Sequence, residues 1–247
     1  MGKLKKFRAE NNSLALLLNM DQTSTQEVPA ERRTIEKRGK KQVTIACPAG
    51  EKNCFTLTLT IGADGRKFPA IIVFKTASKN EKIPPYVLKR LKIPKNVIVT
   101  ASKSGWWTGP LDKKYTEIMF PEKQPETVFL MRDHAPVHTT KAAAAELGKK
   151  NVTQIFVPGS RTGEFQPLDA AVNRAFKVAY QDKYHQWMLS ENHAITKAGN
   201  IKSPTKQQLI IWVSEAWDEV TEECVLASWK EACWKHIEIP GEIQDQE

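Results

Sequence analysis

Three aspartates, Asp21, Asp133 and Asp169, stand where a sequence of this kind could do chemistry, with 111 and 35 residues between them. Asp21 follows the apolar run Leu14–Met20 directly. Asp133 lies one residue past the run Val128–Met131, and Asp169 opens a long helical pattern. Strand ends are where an α/β sheet presents side chains to a crevice. Three carboxylates that converge there would repel one another and raise one another's pKa values unless a cation joins them. Two divalent ions ~3.5–4 Å apart activate an attacking oxygen and stabilise a leaving one in phosphodiester chemistry, and hard carboxylate oxygens are their preferred ligands. Each acid has a plain alternative. Asp169 suits a helix N-cap, Asp21 a strand-end turn, and Asp133 the start of a turn at Pro136.

The elements that must position these acids are legible as periodicities. Leu14–Met20 reads as a buried central strand ending at Asp21. Val43–Cys47 is a short β-branched strand. Cys54–Ile61 alternates, with Phe55, Leu57, Leu59 and Ile61 on one face and three threonines on the other. Asp64-Gly65 is a hairpin signal leading to a strand at Pro69–Phe74. Pro84-Pro85 opens a helical stretch, Tyr86–Lys92. A strand at Asn96–Thr100, a helix at Leu111–Phe120, a strand at Thr127–Met131, a helix at Thr139–Leu147 and a strand at Val152–Val157 follow. Val172, Phe176, Tyr180 and Trp187 then keep one apolar stripe through Ser190. Two further helices are predicted at Thr205–Val220 and from Thr221 to about Lys235. Antiparallel strands, a connection, then strand, helix, strand, helix describes a ribonuclease H-like mixed α/β sheet flanked by helices, with a C-terminal helical extension, and leaves other α/β folds open. The division is residues 1–13 as a basic stub, 14–190 as the catalytic domain, 191–204 as a linker, 205–240 as C-terminal helices and 241–247 as a tail.

Composition points to a polyanion. The formal net charge is +9, and residues 215–247 hold ten acids against two lysines, which leaves +17 on residues 1–214. The same balance also suits a protein with a solvated lysine surface. No run of 18 apolar residues occurs, so no membrane span is expected. The basic start is followed by too short an apolar run for a signal peptide, and an intracellular chain is expected. The four cysteines, Cys47, Cys54, Cys224 and Cys233, lack the close pairing that zinc sites favour and read as buried free thiols.

At the three acids the chain resembles the pogo/Tigger group of DDE superfamily endonucleases, with its jerky-like and centromere protein B-like relatives. The blocks are NMDQTSTQEVP with ADGRKFPAIIVFK, then VFLMRDHAPVH, then VPGSRTGEFQPLDAAVNRAFK, and finally GNIKSPTKQQLIIWVSEAWDEV. They occur in the family's order over roughly residues 14–235, and Gln-Pro-Leu-Asp before a helix carrying Phe-Lys is the most specific of them. The resemblance implies that Asp21, Asp133 and Asp169 are a catalytic, metal-binding triad for two Mg²⁺ or Mn²⁺ ions, with His138 and Gln166 in support. It implies metal-dependent cleavage of DNA at transposon ends and strand transfer by the freed 3′-hydroxyl. It also implies DNA as partner, a homodimer to join two ends, a nuclear setting, and neither a membrane nor a small-molecule cofactor.

The chain departs from the family in three places. Gln22 stands where a glutamate is common, the segment between Trp107 and Val128 is short, and 13 residues before the first strand are too few for a helix-turn-helix domain. A fragment, a truncated copy and a repurposed gene are all compatible with that. Other residues carry two readings each. His138 orients Asp133 or is a satisfied structural histidine. Arg161 and the connector bearing Arg32, Arg33, Lys37, Arg38, Lys40 and Lys41 contact phosphates or are solvated. Trp106 and Trp107 beside Lys103 stack on a base or pack in the core. Trp212, Trp217, Trp229 and Trp234 read as helical core or interface. Two rival functions remain: a transposase-derived nucleic-acid-binding protein that no longer cuts, and a ribonuclease H-like nuclease acting on RNA or hybrids.

Overall fold

The computed structural model describes residues 13–29, 53–78, 83–157, 162–190, 193–197 and 201–236, together with Gly2 and Phe7. The predicted strand Val43–Cys47, the connector cations Arg32, Arg33, Lys37, Arg38, Lys40 and Lys41, Arg161 and the tail from 241 lie outside the described residues. The strands are β1 (Leu17–Gln26), β2 (Cys54–Gly62), β3 (Ala70–Lys75), β4 (Val97–Ser102), β5 (Val128–Asp133) and β6 (Val152–Val157). Among the helices, α1 (Pro85–Leu88), α2 (Gly109–Met119), α3 (Lys141–Lys149) and α4 (Thr162–Phe165) come first. A π-helical turn (Leu168–Val172), α5 (Asn173–Met188), α6 (Lys206–Glu219) and α7 (Glu222–Ala232) follow.

The six strands form one sheet in the order β4-β3-β2-β1-β5-β6. Strands β1, β2 and β3 run antiparallel in succession, while β3–β4, β1–β5 and β5–β6 are parallel. This is the expected ribonuclease H-like mixed sheet flanked by helices. The strand predicted at Asn96–Thr100 does not extend an antiparallel meander; it returns through the segment containing α1 and adds in parallel at the edge. As a result every strand except β2 points its C-terminal end to the same side of the sheet.

Alternation along the strands sends side chains into two cores. On one face Leu17, Phe55, Leu57, Leu59, Ile61, Ile72, Phe74, Met131, Ile155 and Val157 meet α5, α6 and α7. On the other, Leu18, Met20, Ile71, Val128, Leu130 and Val152 meet Tyr115 and Phe120 from the α2 region and Leu147 of α3. The threonines of β2 are therefore buried rather than solvated. Two of them are satisfied inside: Thr60 Oγ1 lies 3.1 Å from the Tyr115 hydroxyl, and Thr56 Oγ1 donates to the Gly105 carbonyl at 2.8 Å. The Asp64-Gly65 turn forms as predicted. Gly65 adopts φ +91°, a conformation that L side chains resist, and its N–H donates to the Gly62 carbonyl at 3.1 Å.

The C-terminal helices close the larger core. Trp212, Trp217 and Trp229 are buried, and Trp234 stacks on Trp229 with ring centroids 5.9 Å apart. Trp217 donates its indole N–H to the Phe68 carbonyl at 2.8 Å. Lys67 lies over the same ring and caps the end of α6, donating to the carbonyls of Trp217 at 2.6 Å and of Val220. A cation there complements the partial negative charge of a helix C-terminus. The cysteines Cys54, Cys224 and Cys233 are free thiols, but only Cys233 is buried. Cys54, the first residue of β2, is exposed.

Since Trp217 is 2% exposed and holds a buried hydrogen bond, Trp217→Ala should lower stability by roughly 3–5 kcal/mol in urea unfolding. A loss under ~1 kcal/mol would mean that α6 is not docked on the sheet as described.

Candidate active site

The first aspartate is not at a strand end. β1 runs through Asp21 to Gln26 because β2 pairs with it as far as Gln26 opposite Cys54, with Asp21 opposite Leu59. On its other side β1 pairs with β5 only from Leu17 opposite Phe129 to Asn19 opposite Met131. Asp21 and Asp133 each lie two residues beyond that last pair. They therefore share a sheet face just past the end of the ladder. Asp133 is the last residue of β5, within the strand rather than beyond it, and its side chain is part-buried. Asp169 does not begin a regular helix either. It sits in the π-helical turn, and Gly-free residues on both sides of it make bonds of different span: its own N–H donates to the Gln166 carbonyl at 3.0 Å, while the Asn173 N–H reaches the Leu168 carbonyl.

Two asparagines tie together the segments that carry the three acids. Asn19 is fully buried; its Nδ2 donates to the Met131 carbonyl at 3.1 Å, and its Oδ1 accepts the Leu168 N–H at 2.9 Å. One side chain thus fixes β1, the strand leading to Asp133 and the backbone one residue before Asp169. Asn173 links the acids themselves. Its Nδ2 donates to Asp21 Oδ2 at 2.9 Å and to Asp169 Oδ1 at 3.0 Å, which holds those two oxygens at most about 6 Å apart. Neither asparagine stands out in the sequence. The signal for Asn173 was its spacing, since a residue four positions after Asp169 shares its helix face.

Asp133 is met by His138, which is completely buried and has a carboxylate near each ring nitrogen. Nδ1 lies 3.0 Å from Asp112 Oδ1, and Nε2 lies 3.4 Å from Asp133 Oδ1. Asp112 also accepts from Arg132 Nη1 at 2.8 Å and from the Trp107 indole N–H at 3.1 Å. Burial alone would raise the Asp112 carboxyl, but the bonds and charges of His138 and Arg132, with Trp107, outweigh it and hold it below the usual range. An ionised carboxylate only accepts, so Nδ1 of His138 carries a proton toward Asp112, while Nε2 lies between Asp133 and the Gln22 amide, whose nitrogen is 3.2 Å and whose oxygen is 3.3 Å away. Arg132 is anchored in turn by Gln154 Oε1, at 2.9 Å from Nε and 2.6 Å from Nη2. Gln22, set aside in the sequence as a mere departure, is therefore a neighbour of the imidazole that faces Asp133. As an amide it can either donate to Nε2 or accept from it, whereas a glutamate carboxylate could only accept.

Burial, followed by the adjacent Asp169 carboxylate and less strongly by Asp133, pushes the Asp21 carboxyl up to about 7, against the Asn173 and Gln22 N–H bonds that favour its anion. The pair Asp21 and Asp169, with an N–H donor between their oxygens, presents hard anionic ligands that suit a divalent cation. No three His, Cys, Asp or Glu side chains among the described residues are gathered as a ready cation cage.

The other predicted site residues are spread more widely. Gln166 is fully buried, and its side-chain amide has no hydrogen-bond partner, while its carbonyl accepts from the Asp169 and Ala170 N–H groups at 3.0 and 3.1 Å. Next to Asp133, and not among the expected site residues, His134 is exposed, with its ring edge-on to Phe156 at 5.3 Å. The two adjacent tryptophans divide: Trp107 packs edge-on to Tyr115 at 6.1 Å, and Trp106 is 65% exposed.

Two outcomes follow from this geometry. Asp21 has a higher pKa folded than unfolded, so its contribution to stability is present at acid pH and is lost as pH rises through about 7. In EDTA, Asp21→Asn should match the wild type at pH 4 and exceed it by roughly 1–2 kcal/mol at pH 8 in urea unfolding; equal stability at both pH values would contradict the burial of that charge. Asn19→Ala strands the Leu168 N–H and the Met131 carbonyl and should cost about 1–3 kcal/mol, read from the same midpoints. A neutral result would remove Asn19 as the tie between the three segments.

Comparison with known proteins agrees with this architecture. Residues 52–229 match the family described as DDE superfamily endonuclease, a span that includes Asp133 and Asp169 and begins after Asp21. A human protein, "Pogo transposable element with KRAB domain", is 27% identical over 243 residues, covering 96% of this chain and 38% of its own length. Its mouse counterpart is 25% identical over 242 residues, with the same coverage. The chain thus spans well under half the length of these curated relatives. Among solved structures, the Mos1 mariner paired end complex with Mn aligns at a TM-score of 0.57 and 13% identity, over 93% of this chain and 56% of that one. The Mos1 strand transfer complex aligns at 0.56 and 12%, with the same coverage, and both show a common fold. The chain belongs to the DDE superfamily endonucleases, and within them to the pogo/Tigger type.

Proposed function

We propose that this chain is the catalytic core of a DDE-type transposase that cuts DNA at transposon ends and joins the freed 3′-hydroxyl to target DNA. The observation that carries the proposal is the Asn173 bridge between Asp21 and Asp169, beside a β1–β5 ladder end that Asp21 and Asp133 both overhang by two residues. Membership of the DDE endonuclease family supports the same reading. The three carboxylates would hold two Mg²⁺ or Mn²⁺ ions. When bound, such ions supply a deprotonated attacking oxygen and neutralise charge on the leaving one. Asp21 and Asp169 contribute oxygens kept near each other by Asn173. Asp133 contributes an oxygen whose position is set by His138, itself held by the ionised Asp112. The buried position of Asp21 keeps water away from one side of the site and strengthens its attraction to a cation.

DNA is the proposed substrate, supported by the basic character of residues 1–214 and by the strand transfer and paired end complexes of structurally similar proteins. A homodimer is the proposed active form because two ends have to be held, and the nucleus is the compartment where such a substrate lies. The phosphate-contact roles of Arg161 and of the connector at 32–41 belong to the same proposal.

Calorimetric titration of Mn²⁺ into wild type and Asp133→Asn tests it. Binding of one or two ions, weakened at least tenfold (~1.4 kcal/mol) by the substitution, followed by metal-dependent nicking of DNA, is the expected result. Identical Mn²⁺ binding by both proteins would mean that the acids form no working site, and the non-cleaving nucleic-acid-binding protein would become the better description.

A further inference from the structure

At the edge of the sheet where β1, β3 and β4 end lies a groove of about 750 Å³ that the chemistry above does not use. Its walls come from the ends of β1, β2, β3 and β4, and include Ser24, Thr56, Lys75, Lys103 and Trp106. Gln22, whose amide touches His138, and Ser24, which lines the groove, lie on one face of β1 two residues apart, or about 7 Å. On that face the groove thus lies one strand repeat from the amide that touches His138, while Asp21 projects from the opposite face of β1.

Trp106 is held there by design of the loop. Its carbonyl accepts the Ser102 hydroxyl at 2.7 Å, and its N–H donates to Ser104 Oγ at 3.2 Å. The preceding Gly105 takes φ +81°, passes 3.3 Å from the Lys75 Cβ at the place a side chain would occupy, and gives its carbonyl to Thr56. The backbone on both sides of Trp106 is pinned, yet the indole is 65% exposed. Its neighbour Trp107 is turned inward on Asp112, so the exposure of Trp106 is a property of the loop and not of loose packing. Lys75 and Lys103 are exposed along the same groove, against the one carboxylate of Glu27 among its lining residues. A pre-positioned aromatic face with ammonium groups beside it is the chemistry that binds an unpaired nucleotide: the base stacks and the phosphates meet cations.

We propose that this groove binds single-stranded DNA running on from the cleavage site, with one base stacked on Trp106 and its flanking phosphates on Lys75 and Lys103. The inference rests on the reading of the chain as a DNA-cutting core, and adds to it a separated strand as ligand. Unpaired bases are required because a ring inside a duplex has no free face to offer.

The test is fluorescence anisotropy with a labelled DNA single strand of mixed sequence, and with the same sequence annealed as a duplex, in EDTA at ~0.1 M salt. The wild type should prefer the single strand. Trp106→Ala should weaken single-strand binding about tenfold and leave duplex binding within about twofold, while Trp106→Phe restores most of the loss. Lys75→Ala with Lys103→Ala should reduce the salt slope by roughly 1.4, the value for two phosphates of a single strand. Because the indole is exposed, an unchanged urea midpoint for Trp106→Ala separates this effect from unfolding. Equal single-strand affinity of Trp106→Ala and wild type overturns the inference, as would tighter binding to an RNA strand than to DNA. Asp133→Asn should retain the strand binding. If no metal-dependent cleavage is found but strand binding depends on Trp106, the catalytic reading fails and the groove stands; if the wild type cleaves and Trp106→Ala binds normally, the reverse holds.

Discussion

Asn19 carries a constraint that the rest of the site inherits. A primary amide at zero exposure has to find partners or forfeit the hydration it lost, and this one finds them on two different segments, the Met131 carbonyl and the Leu168 N–H. Both partners are backbone groups, so what is fixed is the path of the chain. The spacing between β1, β5 and the π-helical turn is set at a point one or two residues from each candidate ligand. Apolar packing alone would hold the same segments together, but with the freedom to slide that non-directional contact leaves.

Around that fixed point the charges fall into two groups. Asp21 and Asp169 share a neutral donor, and nothing with full positive charge opposes them among the hydrogen bonds of the described residues; the raised Asp21 carboxyl is the result. Asp112 is more completely withdrawn from solvent than Asp21, but it is matched by Arg132, His138 and Trp107 and stays ionised. The protein thus neutralises Asp112 and leaves under-compensated Asp21 and Asp169, the proposed cation ligands. Among these hydrogen-bonded acids, that contrast separates the proposed ligands from the supporting carboxylate.

Much of this was legible in the sequence, because local periodicity fixes most of it. The strand at Val152–Val157 and the helical stripe of Val172, Phe176 and Tyr180 follow directly from the spacing of apolar side chains. Asp133 could be placed at a strand terminus because its strand is short and continuous. Asp21 was misplaced in its strand because the polar tail of β1, Gln22–Gln26, gives no apolar signal; what extends the strand is pairing with β2, a contact between residues far apart in the chain. Asn19, Asp112, Arg132 and Asn173 were missed for the same reason. A polar residue states its role only when its partner is known, and the partners of Asn19 and Asp112 lie 20 or more residues away. The two tryptophans at 106 and 107 could not be separated either, since adjacent residues of one type differ only in the direction that a loop gives them.

The π-helical turn has an evolutionary corollary. Each residue of a regular helix advances the side chain by about 100°, so the loss or gain of one position between Asp169 and Asn173 would swing the asparagine away from the carboxylate that it now shares with Asp21. The wide turn already contains one residue more than an α-helical path would need, and at its end Asn173 reaches both Asp169 and Asp21. Length in this stretch is therefore under tighter restraint than residue identity. Ala170 and Ala171 can drift to other small side chains, whereas an insertion or deletion of a single codon there would separate the site from the helix that supports it.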